Sequence, residues 1–363
     1  MSRLRAASTM SRRRAPERAE HTERGERTGH AESTKQAGPG GERRRGSRLA
    51  RVRGRLSLPT LRRATGLLEG RHKSVLLGHG QDFDDLSAYR PGDDVTDIDW
   101  KASARIGQPV IKRYQRETNL PLVLAVDTGR TMAAQAPSGE DKRELALGVA
   151  EVLAYLARMR GDTVALVAGD AERTVHRTPR AGSEHSETLL ALLARQLDEL
   201  TVTRAHHGSE TVEVAPGAPA SDLGELLHNV STWHRRRSLV VLITDTSHPD
   251  ASADPAVADW IRRLSAQHEL AVVQIADDLP LAPGRGRARD IEMDGEVPAF
   301  LREDLDLAAR AGAAEQAHRD AVDALLDARH IEHVAIESDD ALVDALASLL
   351  ARQRLASRRR GRR

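Results

Sequence analysis

From residue 121 onward, short apolar runs alternate with segments of helical periodicity, the order expected of βα units and a largely parallel sheet. The run LPLVLAVD (120–127) is apolar on successive positions and predicts a strand buried on both faces. Ser138 with Asp141 offers a capping-box start to a helix on which Leu145, Val149, Val152, Leu153, Leu156 and Met159 share one face. Further strands are expected at TVALVAG (163–169), SLVVLITD (238–245), ELAVVQIA (269–276) and HVAIE (333–337). Between them, helices are expected over about 186–200, from near Ser221 with Leu223, Leu226, Leu227 and Val230 inward, and from Pro255 to about His268. Two more cover about 301–329 and Asp339 to about Gln353, while His206-His207 fall in a loop. The order predicts a doubly wound, mostly parallel α/β sheet, in which sites form at the carboxyl ends of strands.

The first 63 residues carry no such periodicity. They hold 18 Lys and Arg against 6 Asp and Glu, and residues 352–363 add 7 Arg, so residues 64–351 carry a net −18 within a chain whose formal charge is +1. A segment this polar buries too little apolar surface to offset its ordering entropy, so residues 1–63 read as a disordered basic arm and 352–363 as a basic tail. Nonspecific nucleic-acid or anionic-membrane binding through the arm is the alternative this leaves open, since the acidic body would repel phosphate. The chain has no Cys, which removes disulfides, thiol catalysis, iron–sulfur clusters and Cys-containing zinc sites. Only 2% of residues are aromatic, so base stacking is disfavoured. No apolar run reaches the ~18 residues of a membrane span and no secretory signal is present, so the expected location is the cytoplasm.

Polar residues at the strand ends carry the candidate chemistry. Asp127 and Thr131 stand on the turn after the first buried strand, and Asp245 follows a later one between Thr244 and Thr246. Oxygen donors converging in this way suit a hard cation such as Mg²⁺, and equally an Asp at a strand end caps the turn that follows. A haloacid dehalogenase-like phosphohydrolase would match Asp127 with Asp277-Asp278. Such an enzyme needs a general acid two residues after the nucleophile, where this chain has Gly129. There is no Gly-x-Ser-x-Gly elbow, phosphate-cradling loop or His-Glu-x-x-His, and the pairs His206-His207 and His330/His333 each lack a third metal ligand. The expectation is therefore a non-enzyme.

The most distinctive stretch precedes the sheet. Between Asp82 and Asp99 seven aspartates are interleaved with Phe83, Leu86, Tyr89 and Ile98, followed by Trp100, as in a structured acidic surface. Arg90-Pro91-Gly92-Asp93-Asp94 reads as a turn. The succession Gly-x-Gly, Asp-Phe-x-x-Leu-x-x-Tyr, Pro-Gly-Asp-Asp, Ile-Asp-Trp-Lys and Ala-Arg, then a strand ending in Asp127, closely resembles the bacterial domain of unknown function 58 family, over roughly residues 66–350.

The resemblance implies a von Willebrand factor type A-like fold over 120–351, preceded by a family-specific acidic segment, 64–119, packed on it. It also implies a Mg²⁺-type adhesion site. Asp127, Thr131 and Asp245 match its pattern, Ser221 or else Thr211 fills its Thr position, and Gly129 stands where a serine ligand belongs. With one hydroxyl missing, the expected site is weak or vestigial. The implied role is a non-enzymatic adaptor for a MoxR-type AAA+ ATPase. Asp93, Asp94, Asp97, Asp99, Trp100 and Arg105 form the expected docking surface, with Asp99 and Arg105 as an internal pair.

Overall fold

The computed structural model describes residues 6–8, 73–90, 94–117, 120–206, 209–278, 281, 288–292 and 295–360. Of the basic arm, only Ala6–Ser8 is among them, paired antiparallel with Ala288–Asp290. The rest of the arm lies outside the described residues, as does the 91–93 turn.

Ahead of the sheet, strands β1 (Lys73–Ala88) and β2 (Val110–Glu117) form an antiparallel hairpin with three register shifts, and helix α1 (Trp100–Ile106) lies in the connection. The Gly78-x-Gly80 pair falls inside β1. The body then runs as β3 (Leu122–Asp127), α2 (Lys142–Arg160), β4 (Val164–Gly169), β5 (Thr174–Arg180) and α3 (Ser183–Asp198). A hairpin of β6 (Thr201–His206) and β7 (Ser209–Val214) leads to α4 (Leu223–Trp233), β8 (Leu239–Asp245), α5 (Pro255–Gln267) and β9 (Glu269–Ile275). The chain closes with α6 (Leu305–Asp327), β10 (Glu332–Ile336) and α7 (Asp339–Arg360).

Six strands form the central sheet in the order β10-β9-β8-β3-β4-β5, all parallel except the edge strand β5. The doubly wound α/β reading is therefore correct. Side chains alternate across a strand, so Leu122, Leu124 and Val126 of β3 enter one core with α2, α3 and α7, while Val123 and Ala125 enter the other with α4, α5 and α6. Burial on both faces is what made these strands read as unbroken apolar runs.

Several sequence expectations are corrected. Asp141, not Ser138, caps α2 by accepting from the Arg143 amide at 2.9 Å, and the Ser138 hydroxyl turns to Glu140. Met159, in the last turn of α2, is half exposed rather than on the buried face. The edge strand β5 is polar, contains Pro179, and gives no apolar run to detect, as suits an edge. His206 ends a hairpin strand rather than sitting in a loop, and His207 is outside the described residues. The helix expected over 301–329 is broken at Asp304, whose carboxylate accepts from the Leu307 amide at 3.0 Å and restarts it as α6. Helix α7 runs on past Gln353 to Arg360.

Candidate functional site at the strand ends

Parallel pairing brings the ends of β3, β8 and β9 to one edge, and with them Asp127, Asp245 and Asp277. All three carboxylates are buried. Asp127 accepts the Gly129 amide at 2.9 Å on Oδ1 and the Thr244 hydroxyl at 3.0 Å on Oδ2. Burial in the first place, and Asp245 with it, raises its pKa above the ordinary carboxylate range, against the opposing effects of His248 and of hydrogen bonds from Gly129 and Ser221. Asp245 accepts the Ser247 amide at 3.0 Å and the His248 Nδ1–H at 2.8 Å, both on Oδ1.

The hydroxyls of Thr131 and Ser221 lie 2.9 Å apart and bond to each other. Thr131 is positioned by the 3₁₀ turn Arg130–Ala133 that follows β3. Ser221 sits just before Asp222, which caps α4 through the Glu225 amide. Two backbone bonds fasten its loop to the neighbouring strand ends, Arg130 N–H to Pro219 C=O at 2.7 Å and Ala171 N–H to Ala220 C=O at 2.9 Å. The structure thus brings together Asp127, Thr131, Ser221 and Asp245. Thr211 is on β7, opposite Arg204 in the hairpin register.

Gly129 is required by that loop. A Cβ built on it would stand 2.2 Å from Ser221 Oγ and 2.4 Å from Ser221 N and Cα. The backbone of Ser221 fills the space that a serine at 129 would need.

The residue that sequence reasoning missed is Lys142. It is the first residue of α2, completely buried, and its ammonium bonds Asp277 Oδ1 and lies 3.5 Å from Asp245 Oδ2. Thr246 donates to the other oxygen of Asp277 at 3.2 Å. Asp277 is thereby committed to a structural ion pair, and Gly129 supplies no acid beside Asp127. Asp127 and Asp277 accept on both oxygens and Asp245 on Oδ1, and the Lys142 ammonium already sets a positive charge between Asp245 and Asp277. As folded, this donor set does not fit Mg²⁺, which takes near-octahedral oxygen ligands at about 2.0–2.1 Å. Among the described residues no group of three or more His, Asp or Glu side chains is arranged to hold a metal ion.

The second candidate set lies on the segment before the sheet. Asp93 lies outside the described residues, and Asp97 contributes its backbone to the 3₁₀ turn Val95–Asp97. Asp94 caps that turn through the Thr96 amide and hydroxyl, at 2.9 and 2.7 Å. Asp99 caps α1, accepting the Lys101 and Ala102 amides at 3.0 and 2.9 Å. The proposed Asp99–Arg105 ion pair is not found among the described residues. Six residues of helix at about 1.5 Å each separate the two, and the Asp99 carboxylate faces the helix start. Ser103, buried, fixes α1 to β2 by donating to Asp99 C=O at 2.7 Å and accepting from the Val110 amide at 2.9 Å. On this anchored helix Trp100 is 67% exposed and Arg105 is exposed.

The histidines read as weak metal candidates find other partners. His333 lies 3.3 Å from Asp323 and 4.0 Å from Asp327, and His330 adopts a left-handed φ of 53° at the turn into β10.

Comparison with known proteins places the chain in a family. Uncharacterized proteins of Mycobacterium tuberculosis and Mycobacterium bovis are each 29% identical over 278 residues, which is 72% of this chain and 77% of theirs. Among solved structures, a von Willebrand factor type A protein from Catenulispora acidiphila matches at 14% identity with a TM-score of 0.38, over 67% of this chain and 44% of that one. An uncharacterized membrane-spanning protein from Vibrio fischeri matches at 16% identity and a TM-score of 0.17, over 63% of this chain and 94% of that one. Among the described residues no helix is long and apolar enough to cross a membrane. The model of the protein of unknown function DUF58 matches residues 85–320, well over half of the sequence, and the chain belongs to that family.

Proposed function

We propose that the chain is a non-enzymatic adaptor that binds a MoxR-type AAA+ ATPase through the surface of α1 and its flanking turns. The observation that carries this reading is Trp100. A tryptophan 67% exposed on a seven-residue helix, capped by Asp99 and anchored by Ser103, presents a large apolar side chain on a positioned element. Aromatic anchors on rigid elements are the side chains that dominate protein interfaces. Val95 and Ile106 on the same segment are also more than half exposed, and Asp94 adds charge that favours encounter with a basic partner. The nature of the partner is taken from the family resemblance.

The buried strand-end cluster offers no arrangement for bond chemistry. Both oxygens of Asp127 accept hydrogen bonds, Gly129 offers no general acid, and Asp277 is held by Lys142. Location in the cytoplasm belongs to this same proposal. Affinity purification of the full chain from its native host, with Mg²⁺ and a non-hydrolysable ATP analogue, tests it. The expected result is an AAA+ ATPase recovered with the wild type and lost with Trp100→Ala/Asp94→Ala. Recovery of no ATPase under any condition would overturn the adaptor reading and favour nucleic-acid or membrane binding through residues 1–63.

A further inference from the structure

We propose that Lys142 is a built-in cation at the strand-end site, standing in for the divalent ion that the family resemblance implies, so that this edge of the protein works without metal. This inference holds whichever partner docks on α1.

The placement of Lys142 is otherwise unfavourable. A fully buried ammonium loses its hydration, at a cost of several kcal/mol that only close, well-placed counter-charges offset. Being the first residue of α2, it also lies at the positive end of the helix macrodipole, where anions are favoured and cations are not. What compensates is the pair of carboxylates it joins, Asp277 in direct contact and Asp245 at 3.5 Å, both buried and both on strand ends of the same edge. Asp245 is the very residue that matches the distal carboxylate of the implied metal site. The ammonium therefore places its charge against Asp245, one carboxylate of the implied set, and ties it to Asp277, which lies outside that set.

The rest of the site agrees with a tethered cation. The remaining oxygens of Asp127, Asp245 and Asp277 accept from Gly129, Thr244, Ser247, His248 and Thr246. Thr131 and Ser221 bond to each other, and the Ser221 backbone closes off position 129. A divalent ion on Asp245 would have to compete with a cation attached to the chain, which costs no translational entropy to hold in place. It follows that this edge needs neither a free ion nor a metal-completing carboxylate from a partner.

The test uses the full chain, dialysed against EDTA. Mn²⁺ is titrated and followed by its free electron paramagnetic resonance signal, and thermal melts are recorded in EDTA and in Mg²⁺. A metal site at tenfold saturation would raise Tm by roughly 3–6 °C. The expected results for the wild type are no saturable Mn²⁺ binding and a Tm indifferent to Mg²⁺. Lys142→Met, which keeps the volume and removes the charge, is expected to melt roughly 10 °C lower in EDTA. It should recover part of that loss on adding Mg²⁺. Stoichiometric Mn²⁺ binding by the wild type that Asp127→Asn abolishes would overturn the proposal, as would a Lys142→Met protein as stable in EDTA as the wild type. Should Lys142→Met fail to fold, the wild-type titration decides alone.

Discussion

Replacing Gly129 with serine restores the hydroxyl that the family resemblance places there, and the structure requires that this be harmful. The new Cβ would lie 2.2 Å from Ser221 Oγ and 2.4 Å from Ser221 N and Cα, against a comfortable separation of about 3.5–4.0 Å. Two of those three atoms are backbone, so no rotamer change relieves the contact. The loop around Ser221 has to retreat by more than about 1 Å. Retreat disrupts the Arg130–Pro219 and Ala171–Ala220 backbone bonds and the Thr131–Ser221 hydroxyl pair. Overpacking costs about 1–3 kcal/mol, and each hydrogen bond lost adds about 1 kcal/mol. A total near 4 kcal/mol, at about 2–4 °C per kcal/mol for a body of this size, lowers Tm by roughly 10 °C. Thermal melts of Gly129→Ser and Gly129→Ala measure it, and the two variants should fall together because the Cβ, not the hydroxyl, is at fault. A Gly129→Ser protein that melts with the wild type and gains saturable Mg²⁺ binding would refute the reasoning.

Other consequences are equally open to measurement. Asp99→Ala removes the cap of α1 at a cost of about 1 kcal/mol, which hydrogen exchange should register as faster exchange over residues 100–106 with the central sheet unchanged. Trp100→Ala, at an exposed site, should alter stability by no more than about 0.5 kcal/mol in chemical denaturation, so any loss of binding is not a loss of fold. Burial, reinforced by the neighbouring His176 and His268, lowers the pKa of His234 to about 4 from its ordinary 6.5. Between those values the unfolded chain binds the proton that the folded chain refuses, so stability is fully present above about pH 6.5 and is lost as pH falls toward 4. Melts from pH 7.5 to 5 should show this decline, and His234→Leu should make it shallower, the lowered His176 and His268 keeping the remainder. An unchanged slope in that variant would contradict the assignment.

How far the site could be read from the sequence depends on which interactions are local. Strands β3, β4, β8 and β9 announce themselves because both faces are buried, and their parallel order is enough to set Asp127 and Asp245 at one edge. Strand β5 and the β6–β7 hairpin did not, since TVHRTPR and the residues from Thr201 to Val214 alternate weakly and carry many polar side chains. For Asp99 the sequence suggests a pair with Arg105, whereas its carboxylate caps the helix that starts next to it. The role of Lys142 depends on Asp277, 135 residues away, a separation no local pattern spans. One sign was present in the sequence: a lysine directly after the capping Asp141, in the helix turn where acids are favoured, is out of place unless something anionic meets it. Gly129 gave the opposite signal, reading as a ligand merely lost, when it is the contact that lets the Ser221 loop close.

The central claim is that α1 docks a MoxR-type AAA+ ATPase through Trp100. The most direct measurement is the Kd between the full chain and the purified ATPase of the same host, by isothermal titration calorimetry in the presence of a non-hydrolysable ATP analogue, for the wild type and Trp100→Ala. A buried aromatic anchor contributes about 2 kcal/mol or more, so the variant should bind at least about 30-fold more weakly while melting at the wild-type temperature. Equal affinity for the two proteins would contradict the claim.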